Sequence, residues 1–170
     1  MPLHRGFTHL FKPDRGLEST VFPAIRAAQP QDARLWCEMR HALWPEGSAD
    51  EHAREIEDFF AGRSREPLAT LVAQAVPGQL LGFVEISIRT YAEGCTTDRV
   101  GYLEGWYVLP EARGQGIGRA LVEAAEAWAR AQGCTEFASD TEADNEASAA
   151  AHQALGFTEV NLIRCFRKDL

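Results

Sequence analysis

The feature that most limits how this chain can fold is Arg113-Gly114-Gln115-Gly116-Ile117-Gly118, set between a strand-like run and a helix-like one. Glycines at alternate positions open backbone conformations that other residues reach only with strain. They let successive N–H groups turn inward beside the partial positive charge of a helix start. A strand must bring the chain to such a turn and a helix must leave it, which is a unit suited to holding a pyrophosphate. No Lys-Ser or Lys-Thr pair follows the glycines, so the turn is not a P-loop. Its spacing is not G-x-G-x-x-G, it comes late in the chain, and no alternating strand–helix series surrounds it, which disfavours a Rossmann site.

The remaining pattern supplies the layers around that turn. Residues 21–27 are apolar-rich and read as a first strand. Pro30 opens a helix on which Leu35, Met39 and Leu43 recur at i, i+4, i+8, and Trp44-Pro45 stops it. Ser48 with Glu51 is a capping box; the helix it starts carries Ile56, Phe59 and Phe60 and ends at Gly62. Residues 68–75 and 80–89 are two strands joined by a hairpin at Pro77-Gly78. Residues 91–98 are a loop and 100–109 another strand. After the glycines, Ile117, Leu121, Ala124 and Trp128 form one helix face, with Gly133 as the C-cap. A short strand at 136–141, a helix at 145–155 closed by Gly156 and a last strand at 157–168 complete the chain. With no repeat, linker or low-complexity tract, the expectation is one α+β domain over residues 23–170 behind an extension of residues 1–22.

Composition narrows the partners. At 170 residues the chain is long enough for one sizeable core. No apolar run approaches the ~20 residues that span a bilayer. The extension holds His4, Arg5, Lys12 and Arg15 but no apolar h-region, so it does not read as a secretory signal; it is either a disordered arm or a clasp at a subunit interface. Asp and Glu outnumber Lys and Arg by 25 to 17, which argues against nucleic acid as a partner. An acidic surface attracts polycations, though it also serves solubility. Cys37, Cys95, Cys134 and Cys165 are scattered without a C-x-x-C pair, so neither a metal nor a disulfide is expected and the location reads as cytoplasmic.

Three pieces in order now carry a resemblance. Arg113, Gly116 and Gly118 form R-x-x-G-x-G after a strand ending Tyr107-Val108-Leu109-Pro110; Asn145 opens a helix downstream; Ala154-Leu155-Gly156-Phe157 turns into the last segment. Together they resemble the GNAT superfamily of acetyltransferases. The resemblance implies a mixed, partly splayed sheet flanked by helices. Acetyl-CoA would lie between the strands at 100–109 and 136–141, its pyrophosphate on Arg113, Gly114, Gly116 and Gly118.

A narrower likeness runs from about residue 24 to the end. It rests on Trp36-Cys37-Glu38-Met39-Arg40-His41-Ala42-Leu43-Trp44-Pro45 with His52 and Glu55-Ile56, and on Ser87-Ile88-Arg89, Tyr91 and Gly94-Cys95. Leu103-Glu104-Gly105, Ala138-Ser139-Asp140-Thr141 and Phe166-Arg167-Lys168 extend it. This is similar to the aminoglycoside 6′-N-acetyltransferases. It implies Trp44 and Tyr91 as aromatic walls of an aminoglycoside site, Glu46 on its early loop, and Glu104 and Asp140 holding and orienting the amino sugar. Trp106, Tyr107 and Val108 would pair with the pantetheine arm through the backbone, Asn145 would bond the cofactor near its reactive end, and a homodimer would form, through the last strands. Where relatives often carry an acidic residue in the last hairpin, this chain has Asn161, with Glu159 two residues earlier, which bears on which aminoglycosides bind.

The chemistry of the residues is consistent with that likeness. A substrate with several ammonium groups calls for spaced carboxylates and flat aromatic faces. None of the cysteines sits in a motif for an activated nucleophile, so direct attack by the amine in a ternary complex is expected, driven by positioning. Backbone N–H groups near Tyr107 and Val108 would support the developing oxyanion. Asn145, Ala149 and His152 share a helix face at i, i+4, i+7. His152 stands where many GNAT enzymes hold a tyrosine, and an imidazole can give the leaving thiolate its proton near neutrality. An acetyltransferase for another amine, such as a polyamine or a peptide N-terminus, is the alternative inside the superfamily. A non-catalytic acyl-CoA-binding module is the alternative outside it.

Overall fold

A computed structural model describes residues 22–169; the arm or clasp expected of residues 1–21 lies outside the described residues. Five strands form one sheet in the order β1-β2-β3-β4-β5. They are β1 (Ala24–Ala27), β2 (Ala69–Val76), β3 (Gln79–Arg89), β4 (Val100–Val108) and β5 (Glu136–Ser139). All neighbours are antiparallel except β4 and β5, which run parallel because α3 (Ile117–Ala131) carries the chain back between them. α1 (Ala33–Leu43) and α2 (Ala49–Phe60) precede β2, and α4 (Glu146–Ala154) follows β5. This is the mixed α+β architecture expected.

The punctuation works by the expected means. A 3-10 turn at Pro30–Asp32 leads into α1, which Trp44 ends. The Ser48 hydroxyl accepts from Glu51 N at 3.2 Å while the Glu51 carboxylate accepts from Ser48 N at 2.9 Å, so the box closes from both sides. Gly78 turns the β2–β3 hairpin with φ +81°.

Alternation along β3 divides the core in two. Val84 and Ile86 face α3 with Leu103, Ile117, Leu121, Val122 and Ala125. Phe83 faces α1 and α2 with Trp36, Met39, Ile56 and Val72. Ile117 and Leu121 of the predicted α3 face are buried, but the stripe continues through Ala125 and Ala129, while Ala124 and Trp128 are only partly buried.

Two features set the shape of the cleft. β4 and β5 pair only from Val100↔Glu136 to Leu103↔Ser139, after which β4 continues alone. β4 also carries a bulge, since Gly105 opposes Glu85 and Leu103 opposes Ile86, leaving Glu104 without a partner. A bulge re-aims side chains, and here it does so at the point where the strands part.

The expected last strand at 157–168 is not formed. The chain from Phe157 to Asp169 has no regular structure and pairs with no described strand, and Val160, Leu162, Ile163 and Phe166 stand 54–92% exposed. A strand needs a neighbour to take up its amides and carbonyls, and this segment joins none of the five described strands.

Candidate active site

The open edge of β4 is the centre of the site. Leu109 N donates to Leu81 O at 2.9 Å, which fixes the alternation: residues 107 and 109 turn their backbone groups to β3. Trp106 therefore presents both of its groups, and Val108 its N–H, to the open side, where an extended ligand can pair with them; the Val108 carbonyl already accepts from Arg113. Tyr107 does not, so its N–H is withdrawn from the expected oxyanion role. Its ring stacks on Phe83 instead, 6.3 Å between centroids.

The glycine loop meets this edge at its far end. Gly114 and Gly116 have φ of +73° and +83°, and among the described residues a β-carbon on Gly114 would touch nothing within 4 Å. Gly116 is the N-cap of α3 and among the described residues no side chain caps that helix, so its first N–H groups are left for a ligand. That arrangement fits the phosphates of CoA. Arg113 is used differently from expectation: its Nε donates to the Val108 carbonyl at 3.0 Å, pinning the loop to β4. Gly118 lets α3 lie close to the Trp106 indole, where a β-carbon would come within 2.8 Å.

At the parting point stand the predicted carboxylates. Glu104 is held by Arg89 (Nε at 3.0 Å) and the Ser87 hydroxyl. The Arg89 guanidinium lies 3.5 Å over the Tyr102 ring. Asp140, exposed just beyond β5, adds its charge to the burial that pushes the Tyr102 phenol well above its ordinary range. Trp44 packs on Gly105 and Phe83 with Arg40 5.2 Å from its ring, so it is as much a core residue as a wall. Glu46 is exposed, and Tyr91 is 69% exposed on the loop after β3. Glu136 fastens that loop: its carboxylate accepts from the N–H groups of Thr96 and Thr97 at 3.0 and 2.8 Å and from both hydroxyls. Those bonds, the Thr97 hydroxyl first, draw its carboxyl down to about 2.

α4 borders the other side of the cleft. Asn145 spends its side-chain oxygen on capping, accepting from Ser148 N at 3.0 Å, which leaves only its amide N–H₂ for a cofactor. His152 is half-buried, edge-on to Trp106 and Phe157. Its Nδ1 is 2.8 Å from the Ser148 carbonyl and its Nε2 3.0 Å from the Ser139 hydroxyl. Glu159 and Asn161 lie in the exposed tail.

One cluster has no counterpart in the sequence expectations. Glu85 on β3 is buried beneath α1, accepting from Trp36 Nε1 at 2.8 Å and facing Arg40 Nε at 3.0 Å. Arg40 also reaches Glu55 at 2.7 Å. Burial raises the Glu85 carboxyl to about 7. The signal was available: apolar residues flank Glu85 on both sides of the strand, the pattern of a strand covered on both faces, and Trp36 and Arg40 sit at i, i+4. Among the described residues no group of three or more His, Cys, Asp or Glu is arranged to hold a metal.

Comparison with known proteins agrees with this geometry. Residues 35–157 match the model of the acetyltransferase (GNAT) family. An aminoglycoside N(6′)-acetyltransferase type 1 of Klebsiella aerogenes is 55% identical over 148 residues, 87% of this chain and 97% of that protein. One of Stenotrophomonas maltophilia is 41% identical over 87% of this chain and 94% of its own length. Among solved structures, AAC(6′)-Iy in complex with the bisubstrate analog CoA-S-monomethyl-acetylneamine superposes with a TM-score of 0.79 at 34% identity, over 86% of this chain and 98% of that one. The glycine loop at the head of α3, the parted β4 and β5 and these relatives lead to one conclusion: the chain belongs to the GNAT acetyltransferase family.

Proposed function

We propose that this chain transfers the acetyl group of acetyl-CoA to the 6′-amine of aminoglycosides, by direct attack in a ternary complex, and so confers resistance to them. The single observation that carries this is the parting of β4 from β5 at Leu103 and Ser139, with a phosphate cradle at one end and Glu104 and Asp140 at the other. The relatives named above, one solved with a CoA–aminoglycoside conjugate, support the substrate pair.

In this reading Gly114, Gly116 and the first turn of α3 hold the phosphates, and Trp106 and Val108 pair with the pantetheine. Arg113 shapes the cradle, and Asn145 offers its amide to the cofactor. Asp140 and Glu104 draw in the ammonium groups, while Trp44, Tyr91 and Glu46 line the sugar side. His152 handles the proton that the thiolate needs. Location in the cytoplasm follows from the use of acetyl-CoA there, and four free thiols suit it.

A homodimer is part of the proposal. The unpaired tail with its exposed Val160, Leu162, Ile163 and Phe166 supports a second copy as its partner. Light scattering should give twice the chain mass for the full protein and the chain mass after truncation behind Gly156.

The activity is tested by thiol release from acetyl-CoA across a panel of amines. Release with aminoglycosides upholds the reading. Release only with polyamines or peptide N-termini would move the chain to the other substrate class, and none with any amine would leave a binding module.

A further inference from the structure

The hydrogen bonds around His152 are over-subscribed at one atom. Two groups of Ser148 meet Nδ1: the carbonyl, which can only accept, at 2.8 Å, and the hydroxyl, at a longer 3.4 Å; the shorter contact places a proton on Nδ1 whether the ring is neutral or charged. In the neutral ring Nε2 is then a lone pair, and it faces the Ser139 hydroxyl at 3.0 Å. That hydroxyl has one hydrogen and two acceptors in reach, Nε2 and the Leu103 carbonyl at 3.2 Å. With neutral His152 the hydrogen goes to Nε2. With imidazolium, Nε2 donates to Ser139 and the hydroxyl turns to Leu103. Leu103 and Ser139 are the last pair before β4 and β5 separate, so this hydroxyl sits where the cleft opens.

We propose that Ser139 is the proton relay of the acetyl transfer: His152 exchanges its proton with the reactants through the Ser139 hydroxyl, taking one from the incoming ammonium and returning it to the departing sulfur. This rests on the reading of the chain as an aminoglycoside acetyltransferase. Ser139 passes its hydrogen to Nε2 while receiving one from the substrate's R–NH₃⁺, which leaves a neutral amine and an imidazolium. The amine lone pair forms the C–N bond to the acetyl carbon, the C–S bond breaks and its electron pair leaves on sulfur. The extra proton on the new amide nitrogen goes to solvent. His152 then gives its Nε2 proton back through Ser139 to the sulfur, so both His152 and Ser139 end as they began. A direct acid role for neutral His152 is closed, because its only N–H is held by Ser148.

The charged groups carried by the elements around His152 have other partners or lie outward. Glu104 on β4 is paired with Arg89, Asp140 just past Ser139 is exposed and engages the Tyr102 phenol, Arg119 on α3 donates to the Ala154 carbonyl at 2.9 Å, and Glu146 is exposed at the start of α4. The ring's other neighbours, Trp106 and Phe157, carry no charge.

Two measurements on the full chain test this. Long-range ¹H–¹⁵N NMR of the ligand-free protein with the ring neutral should show the Nδ1–H tautomer, and Ser139→Ala should leave that tautomer in place while moving the Nε2 resonance, which loses its hydrogen-bond donor. In steady-state kinetics Ser139→Ala should lower kcat by about 10²-fold, the lower end of what acid–base catalysis contributes, with both KM values changed far less. Ser139→Thr, which keeps the hydroxyl on a strand residue, should restore most of it. His152→Ala should cost a similar factor, and the double variant no more than either single one, as for two members of one relay. An Nε2–H tautomer, a Ser139→Ala enzyme with the parent's kcat and pH profile, or losses that multiply in the double variant would overturn the relay. If the parent chain acetylates no aminoglycoside, the proposed function falls, and the tautomer and its response to Ser139→Ala decide the relay by themselves.

Discussion

The indole of Trp44 lies against the bare backbone of Gly105, so close that a β-carbon there would stand 2.5 Å from Cη2 and 2.9 Å from Cζ2. Gly105 is on β4 just past the bulge at Glu104, and Trp44 ends α1. The contact ties the aromatic wall of the sugar side to the strand that borders the cofactor. Gly105→Ala should therefore push Trp44 out of place. Overpacking of this kind costs about 1–3 kcal/mol, and the aminoglycoside KM should rise much more than that for acetyl-CoA. Thermal melts with the two KM values check it; equal shifts in both KM values would mean that Trp44 does not border the aminoglycoside.

The buried Glu85 makes stability depend on pH in a stated direction. Its carboxyl rises from the ordinary 4.5 to about 7 in the folded chain, chiefly because burial disfavours the charge. Between those values the folded state holds a proton that the unfolded state has lost. The contribution is fully present below 4.5 and disappears as pH rises through about 7, on the order of 3 kcal/mol in all. Denaturant titrations of Glu85→Gln and the parent at pH 4.5, 6 and 8 should show the variant gaining on the parent as pH increases. A constant difference would remove Glu85 as the titrating group.

Gly116→Val should injure cofactor binding selectively. A valine at φ +83° costs about 1–2 kcal/mol in backbone strain, and its branches would stand where a phosphate approaches the first N–H groups of α3. Calorimetry should find acetyl-CoA affinity sharply reduced and aminoglycoside affinity changed far less; the reverse order would give the loop another role.

The two carboxylates should separate by their partners. Asp140→Asn should raise the aminoglycoside KM about tenfold or more, since a charge-assisted hydrogen bond is worth about 1.5–3 kcal/mol, with little change in melting temperature. Glu104→Gln should lose affinity as well as stability, because Arg89 is left without its ion pair. Parent-like kinetics in both variants would exclude them from the site.

The helices and the hairpin were legible because local chemistry decides them: Ser48 with Glu51, Trp44 before Pro45, Pro77-Gly78. The glycine loop was legible for the same reason. Asn145 was recognised as a helix start, and it caps α4 as that reading implies. What failed was what depends on a distant partner. Residues 157–168 have strand-like composition, yet β structure needs a paired neighbour, and they join none of the described strands. The Glu85–Arg40–Trp36 cluster was legible only in halves, an isolated carboxylate in an apolar strand and an i, i+4 pair on a helix, and the pairing of the halves across 49 residues depends on packing, as does the Ser139–His152 contact between β5 and α4.

The most direct test of the central claim compares two aminoglycosides that differ only at C6′, one with an amine and one with a hydroxyl, in an acetyl-CoA thiol-release assay with the product located by NMR. Expected are rapid CoA release and a 6′-acetamide from the amine, and binding without turnover from the hydroxyl analogue. Equal release from both, or acetylation at another nitrogen, would contradict the 6′ assignment.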